Sequence, residues 1–412
     1  MTNEHASLKL RHYPAFFHFW LSRVASGFAF QMVSVAVGWQ IYDMTHSALN
    51  LGLIGLIQFV PAVLLALPAG HIADQFHRRN VVVVCQFFEW IALVALAGLS
   101  FAGWLNEAAI LTFIGIISVF RTFENPSGRA IVPALVPEAI LPRALAINGS
   151  GGQAASIIGP ALGGFLYLLG PSYVYAITAV MTLISVILMA SLKYQYAPPK
   201  RVPMNMERLF SGVAFIRKEK IILGVLSLDL FAVLLGGATA LLPIFARDIL
   251  HTEAWGLGLL RAAPAVGALL MSFYLAKYTL NRRVGMVMFA SVAGFGLATI
   301  VFALSANLWL SLAALFVLGA LDMISMVIRS TLVQIETPDE MRGRVGAVNS
   351  IFINTSNQLG EFESGILAAA VGAVNAALIG GIGTIVVVGL WMVWFPSIRK
   401  REKLVRDERS SE

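Results

Sequence analysis

The chain has 412 residues, 58% hydrophobic and only 12% charged, with a mean hydropathy of +0.80. Soluble domains average about 25% charged residues, so an ordinary water-soluble protein and a disordered chain are both excluded. The net charge of +7 would suit nucleic acid in a soluble chain, but in one this apolar, basic residues mark membrane orientation, and no nucleic-acid partner is expected. Cys85 is the single cysteine, so neither an intrachain disulfide nor a cysteine-rich metal site is expected. Residues 1–14 are polar and mildly basic, with no cleavage site after the first apolar run; no signal peptide is expected.

A bilayer core takes about 20 apolar residues per helix, within a range of roughly 17–25. In chain order the predicted spans are 15–42, 49–73, 80–103, 108–126, 144–169, 172–192, 221–246, 255–277, 284–305, 308–329, 345–371 and 374–395. The fourth and the eleventh each carry several polar groups. Twelve spans joined by short connectors, such as Gly170-Pro171 between the fifth and sixth, predict an all-α polytopic membrane bundle. Of the 29 Lys and Arg residues, 25 fall in the tails and in alternate loops, and the opposite loops hold only Arg247. The positive-inside rule then places both termini in the cytoplasm. Arg23, Arg121 and Arg261 fall inside predicted spans.

The long connection 193–220 divides the chain into a six-helix bundle over 1–192 and another over 221–398, followed by a basic tail over 399–412. With Pro198-Pro199, Pro203 and the run Arg217-Lys218-Glu219-Lys220, it reads as a cytoplasmic, solvated linker with a short interfacial helix. The halves repeat at an offset near 201. Val132, Pro137, Glu138, Arg143, Ala146 and Asn148 match Val333, Pro338, Asp339, Arg344, Ala347 and Asn349, while Gly159 and Gly164 match Gly360 and Gly365. Several matches in register argue for duplication, and two pseudo-symmetric halves suit alternating access.

The loop after the second span reads Gly70-His-Ile-Ala-Asp74-Gln-Phe-His-Arg78-Arg79. This resembles motif A of the major facilitator superfamily, departing from it at Gln75 and His77. Gly70 permits close helix approach, Asp74 can accept hydrogen bonds from a helix amino terminus or an arginine, and Arg78 and Arg79 hold the loop at the cytoplasmic surface. The resemblance implies a gating role for these four residues. The fifth span carries Gly152 and Gly159-Pro160-Ala-Leu-Gly163-Gly164, which resembles motif C, associated in this superfamily with exporters of the antiporter type. Small residues and a proline also serve plain helix packing. Arg121 stands where motif B places its arginine, with Glu124 and Asn125 in place of the usual glutamine and glycine. Phe123-Glu-Asn-Pro126-Ser, Leu135-Val-Pro137, Trp20-Leu-Ser-Arg23 and Gln58-Phe59-x-Pro61 resemble the drug-exporter branch that includes the enterobactin exporter and macrolide efflux proteins. The resemblance covers nearly the whole chain and implies the major facilitator fold and export.

An ionisable group at mid-membrane costs roughly 2.5–3.5 kcal/mol on insertion scales and needs a partner or a wet cavity. Arg23, Glu89, Arg121, Glu124, Asp229, Arg261, Asp322, Glu361 and Glu363 all lie in predicted spans. Arg121 and Asp322 are one repeat apart and opposite in charge; they are expected to pair or share water in at least one state. Arg23 and Asp229 form a second set at similar depth. Static charge compensation is the competing reading for each. A proton-coupled exporter needs a titratable acid, and Asp322, Asp229 and Glu124 are the candidates in that order. Ser350, Asn354, Asn357, Gln358 and Glu361 make a polar stripe at helical spacing, suited to lining a substrate path or to hydrogen bonding between helices. Glu89, alone on the third span, has no evident role.

Three readings follow. The first is a secondary active exporter of small organic compounds, drug-like or siderophore-like, working by proton antiport, as a monomer in contact with lipid in a bacterial-type inner membrane. The second is an importer or lipid flippase of the same fold, with motif C arguing against import. The third is a membrane receptor that does not transport. No Walker A pattern occurs, and the histidines fall near interfaces or tails, so neither ATP, a cofactor, a metal nor an enzymatic site is expected.

Overall fold

In a computed structural model the described residues are 12–193, 206–278 and 282–403. They contain helices and no strands. Pro14 opens α1 (Pro14–Thr45) from a position where its missing N–H is harmless, and His46 ends it with φ 47°, its N–H donating to the Tyr42 carbonyl. The second predicted span is two helices, α2 (Ala48–Leu64) and α3 (Ala66–Gln75), with a bend of 55° between them. Pro68 has no N–H to donate to the carbonyl of Leu64, which is where the ladder breaks. Next come α4 (Arg78–Phe101), α5 (Glu107–Arg129), the short α6 (Val132–Leu135), α7 (Leu141–Tyr167) and α8 (Pro171–Ala190).

A helix within the long connection, α9 (Met206–Lys218), precedes α10 (Lys220–Leu235). The chain continues from α10 through a 3-10 turn, the short α11 (Leu242–Ile244) and a π turn over Phe245–Ile249. Then follow α12 (Ala254–Lys277), α13 (Val284–Leu304), α14 (Leu308–Glu336), α15 (Asp339–Val371), α16 (Ala373–Trp394) and α17 (Pro396–Arg399). Taking α2–α3 as one segment and α10 with its continuation as another, the long helical segments number twelve among the described residues.

Eight of these are long and apolar enough to cross a membrane outright, and the bent α2–α3 pair makes nine. The other three are α5, α7 and α15, the helices that carry Arg121 with Glu124, the glycine-rich run, and the polar stripe. Their charged, polar and small residues are what lower their hydropathy. The duplication is visible in the helix ends. Asn106 caps α5 by accepting from the Ala109 N–H, and Asn307 caps α14 by accepting from Trp309 and Leu310. Gly170 (φ 113°) and Gly372 (φ 87°) turn the chain before α8 and α16 in a conformation that a side chain would strain.

The chain divides into two compact units, 1–46 with 57–204 and 252–262, and 47–56 with 205–251 and 263–412. These differ from the expected bundles at 47–56 and 252–262. Small residues explain both. In the second unit a Cβ on Gly52 would lie 3.0 Å from Gly365 Cα, and in the first a Cβ on Gly258 would lie 3.1 Å from Ala161 Cα, so backbones meet directly. The first unit has a core of Phe16, Phe19, Val82, Ile131 and Met189. The second is built on Val225, Leu228, Phe289, Leu332 and Trp391. Large apolar side chains such as Trp309, Val393 and Phe273 stand more than 60% exposed while Glu124, Gln86 and Glu89 are buried. This inverts the pattern of a soluble protein and fits a lipid solvent.

Candidate functional site

In the first unit, α1, α4 and α5 bring together two arginines and two glutamates. Gln86 and Glu89 lie one turn apart on α4, and Arg121 and Glu124 one turn apart on α5, so each pair shares a helix face. Arg23 Nη1 stands 2.5 Å from Glu124 Oε1, which also accepts from Gln86 Nε2 at 3.0 Å. Arg121 Nη1 lies 3.6 Å from Glu89 Oε2, and its guanidinium sits 3.9 Å from the centre of the Phe30 ring. Glu124 is fully buried and Glu89 is 3% exposed. Glu89, Arg121, Phe30, Ser26 and Thr182 line a cavity of about 10 Å³, room for one water.

The second unit builds the counterpart on α10, α13 and α14. Asp229 of α10 is ion-paired with Arg329 of α14. Asp322, Ser325 and Arg329 follow at spacings of three and four along α14. Asp322, Asp229, Ser291, Phe295 and Ser325 line a second cavity of about 10 Å³. Asp322 makes no ion pair or hydrogen bond among the described residues. The two cavities are repeat equivalents. Ala29 and Ala232, Leu93 and Phe295, and Arg121 and Asp322 occupy matching places 201–203 residues apart.

Several expected residues gain definite surroundings. Arg23 and Asp229, expected as a set, are each engaged inside their own unit, by Glu124 and by Arg329. Arg121 and Asp322 line separate cavities, one in each unit. Arg329, counted from the sequence as a loop residue, lies inside α14 and is 5% exposed; α14 continues past the expected end because no breaker occurs before Pro338. Arg261 of α12 donates to Ser34 Oγ at 2.5 Å.

In motif A, Arg78 donates to the Ala130 carbonyl at 2.8 Å and Arg79 to the Leu192 carbonyl at 2.9 Å. The basic pair thus ties the start of α4 to the ends of α5 and α8. Gly70 lies half-buried in α3, and Asp74 is exposed with no hydrogen bond among the described residues. His77, one of the departures from the motif, precedes α4; burial and the neighbouring Arg79 hold its imidazole below the ordinary value. In motif C a Cβ on Gly159 would lie 2.7 Å from Gln31 Cβ, and one on Gly163 would lie 2.8 Å from Met32 Cα. A Cβ on Gly164 would lie 2.4 Å from the Ala254 carbonyl oxygen and 3.1 Å from Gly258 Cα of α12, whereas Gly152 faces open space. Pro160 is fully embedded in α7. Gly55 of α2 packs against the turn of α15 holding Gln358 and Glu361, and Asn357 of α15 is exposed; the side chain of Asn354 lies outside the described residues. Among the described residues, no group of three or more His, Cys, Asp or Glu is placed to hold a metal ion.

A family model described as "Transmembrane secretion effector" matches residues 6–410. The chain belongs to this family of the major facilitator superfamily. The chain is similar to the enterobactin exporter EntS of Citrobacter koseri, 28% identical over 400 residues, covering 95% of this chain and 94% of that protein. It is 26% identical to the EntS of Escherichia coli O1:K1 / APEC, with the same coverage. Among solved structures, a mutant of the nucleoside transporter NupG superimposes with a TM-score of 0.74 at 16% identity, covering 92% of this chain and 100% of that one. A bacterial homolog of the human lysosomal transporter Spinster gives a TM-score of 0.71 at 14% identity, covering 95% and 96%. The superpositions establish the fold, and the family makes the protein a multi-pass membrane transporter and not an enzyme.

Sequence reasoning missed Gln86 and Arg329, and it gave Glu89 no role. Each carries a legible signal. Gln86 and Glu89 share one face of an apolar helix, and Arg329 lies two turns along the same face as Asp322.

Proposed function

We propose that this protein is a secondary active exporter of small organic compounds, siderophore-like or drug-like, driven by proton antiport through alternating access. The observation that carries the coupling is Asp322, a carboxyl within α14 beside a water-sized cavity and without an ion partner among the described residues. Such a group takes up and releases a proton without breaking a salt bridge. Asp229 and Glu124 are each held by an arginine, which supports ranking them after Asp322. The substrate class is supported by the enterobactin exporters among the relatives. Export rather than import is supported by motif C, whose Gly159, Gly163 and Gly164 sit at close helix approaches. The protein works as a monomer in the inner membrane with both termini cytoplasmic; the distribution of Lys and Arg supports the side on which the termini lie.

The test is transport in proteoliposomes with an imposed pH gradient, using catecholate siderophores, macrolides and dyes. Uptake into vesicles that tracks the gradient is expected. Asp322→Asn is expected to abolish gradient-driven accumulation while leaving a folded, monodisperse protein. Accumulation at the wild-type rate in Asp322→Asn would sink the assigned coupling role. Binding of a compound without translocation would favour a receptor.

A further inference from the structure

The N-terminal cluster has a feature that ion pairing leaves unexplained. Each buried carboxyl spends one oxygen on its arginine: Glu124 Oε1 meets Arg23 and Gln86, and Glu89 Oε2 faces Arg121. The remaining oxygens, Glu124 Oε2 and Glu89 Oε1, are buried and have no hydrogen-bond partner among the described residues, and the same holds for Gln86 Oε1. The two carboxyl groups belong to one cluster: Gln86, one turn from Glu89 on α4, donates to Glu124, and Arg121, one turn from Glu124 on α5, faces Glu89. Two ionised carboxylates cannot hydrogen-bond, because both are acceptors only. Buried acceptors left without donors are costly. One proton placed between the carboxyls supplies the missing donor and relieves the repulsion of like charges at close range.

The geometry points to Glu89 and Glu124 as a carboxyl pair that holds one exchangeable proton, a second proton site in the half of the molecule that lacks Asp322. The titration belongs to the pair and not to either residue. The groups facing it are Arg23 from α1, Cys85 from α4 and Arg121 from α5; α8 contributes no charged side chain, only hydroxyls such as Thr182. With both carboxylates ionised, the cluster of Arg23, Arg121, Glu89 and Glu124 is neutral, and the shared proton makes it +1. The cavity beside Glu89 and Arg121 gives that proton room for a water as its first acceptor. Proton binding stands on this geometry alone, whereas its use in coupling rests on the antiport reading above.

The experiment is infrared difference spectroscopy of the reconstituted full chain on stepping pH. The probe is the protonated-carboxyl C=O stretch and its shift in D₂O. A pH-sensitive band is expected in the wild type and in Asp322→Asn, with loss of the Glu89–Glu124 component in Glu89→Gln. The double variant Glu89→Gln/Arg121→Gln preserves the charge balance and is expected to lose the same component even where the single variant is poorly folded. A band unchanged in both Glu89 variants overturns the shared proton. In the same vesicles, Glu89→Gln is expected to abolish stimulation of export by the pH gradient while substrate counterflow persists. If the band disappears but the stimulation survives, the pair binds a proton and its role in coupling is overturned. If the wild type transports none of the tested compounds, the exporter reading fails and the infrared result still decides the pair.

Discussion

The two units build the same chamber and fill it with opposite charge. In the first, the opening helix α1 supplies the cation Arg23 and the fourth segment, α5, supplies the anion Glu124. In the second, the equivalent helix α10 supplies the anion Asp229 and α14 supplies the cation Arg329. At the cavity wall Arg121 is replaced by Asp322 and Glu89 by Ser291. Helix caps, turn glycines and cavity positions survived duplication because they serve the backbone. The charges diverged because the bundle requires only that each buried charge be compensated, whichever helix carries which sign. The first unit therefore holds two arginines and two glutamates in one cluster, and the second holds one ion pair and one acid apart from it.

The largest expected effect comes from breaking that pair. Arg329→Gln leaves Asp229, whose side chain is only 12% exposed, uncompensated and should cost ~3 kcal/mol, read as a lowered thermal unfolding temperature in detergent. Exchanging the two residues, Asp229→Arg with Arg329→Asp, gives the second unit the charge order of the first. It should recover more than half of the loss; recovery of none would mean that charge order is specified by more than compensation.

Motif C offers a smaller test, because its counterpart on α15 has diverged to Gly360-Glu361-Phe362-Glu363. Gly163→Ala pushes a methyl into the Met32 backbone and should cost ~1–3 kcal/mol. Gly152→Ala, facing open space, should change stability by less than ~0.5 kcal/mol. Equal effects at the two positions would remove close packing as the reason for the motif. The shared features should behave alike: Asn106→Ala and Asn307→Ala should each cost ~1 kcal/mol of helix capping, and a clear inequality would show that the second cap is not the functional copy of the first.

The smallest effect is expected at His77. Its imidazole is held below the ordinary value by burial and Arg79, so the folded state favours the neutral form more than the unfolded chain does. The stabilisation is present above the unfolded value, near 6.5, and is lost as pH falls through the lower folded value. His77→Gln should flatten that part of the stability–pH curve slightly, since the group is only partly buried.

Much of the fold was legible because the bilayer imposes a length and a composition on every span. The twelve segments, the helix within the long connection and the repeat all follow from runs, prolines and spacing. The bend between α2 and α3 and the extension of α14 do not show in the apolar runs, although Pro68 and the distance to Pro338 contain both. The site was legible one residue at a time. Arg23, Arg121, Glu124, Asp229 and Asp322 stand out as charges in apolar runs, but linear order does not say which neighbour each one meets. Glu89 shows this most clearly: alone on an apolar helix it has no account, and beside Glu124 and Arg121 it completes a cluster.

By itself the sequence determined a duplicated, multi-pass helical membrane protein and the set of residues that carry charge into the membrane, because hydropathy and charge distribution are properties of the chain. Only the tertiary structure decided the pairing: Arg23 with Glu124, Arg121 with Glu89, Asp229 with Arg329, and Asp322 with none among the described residues. The physical reason is that ion pairing depends on separations of a few ångströms between helices far apart in the chain. Those separations are set by how small and large side chains pack, and no periodicity in the sequence records them.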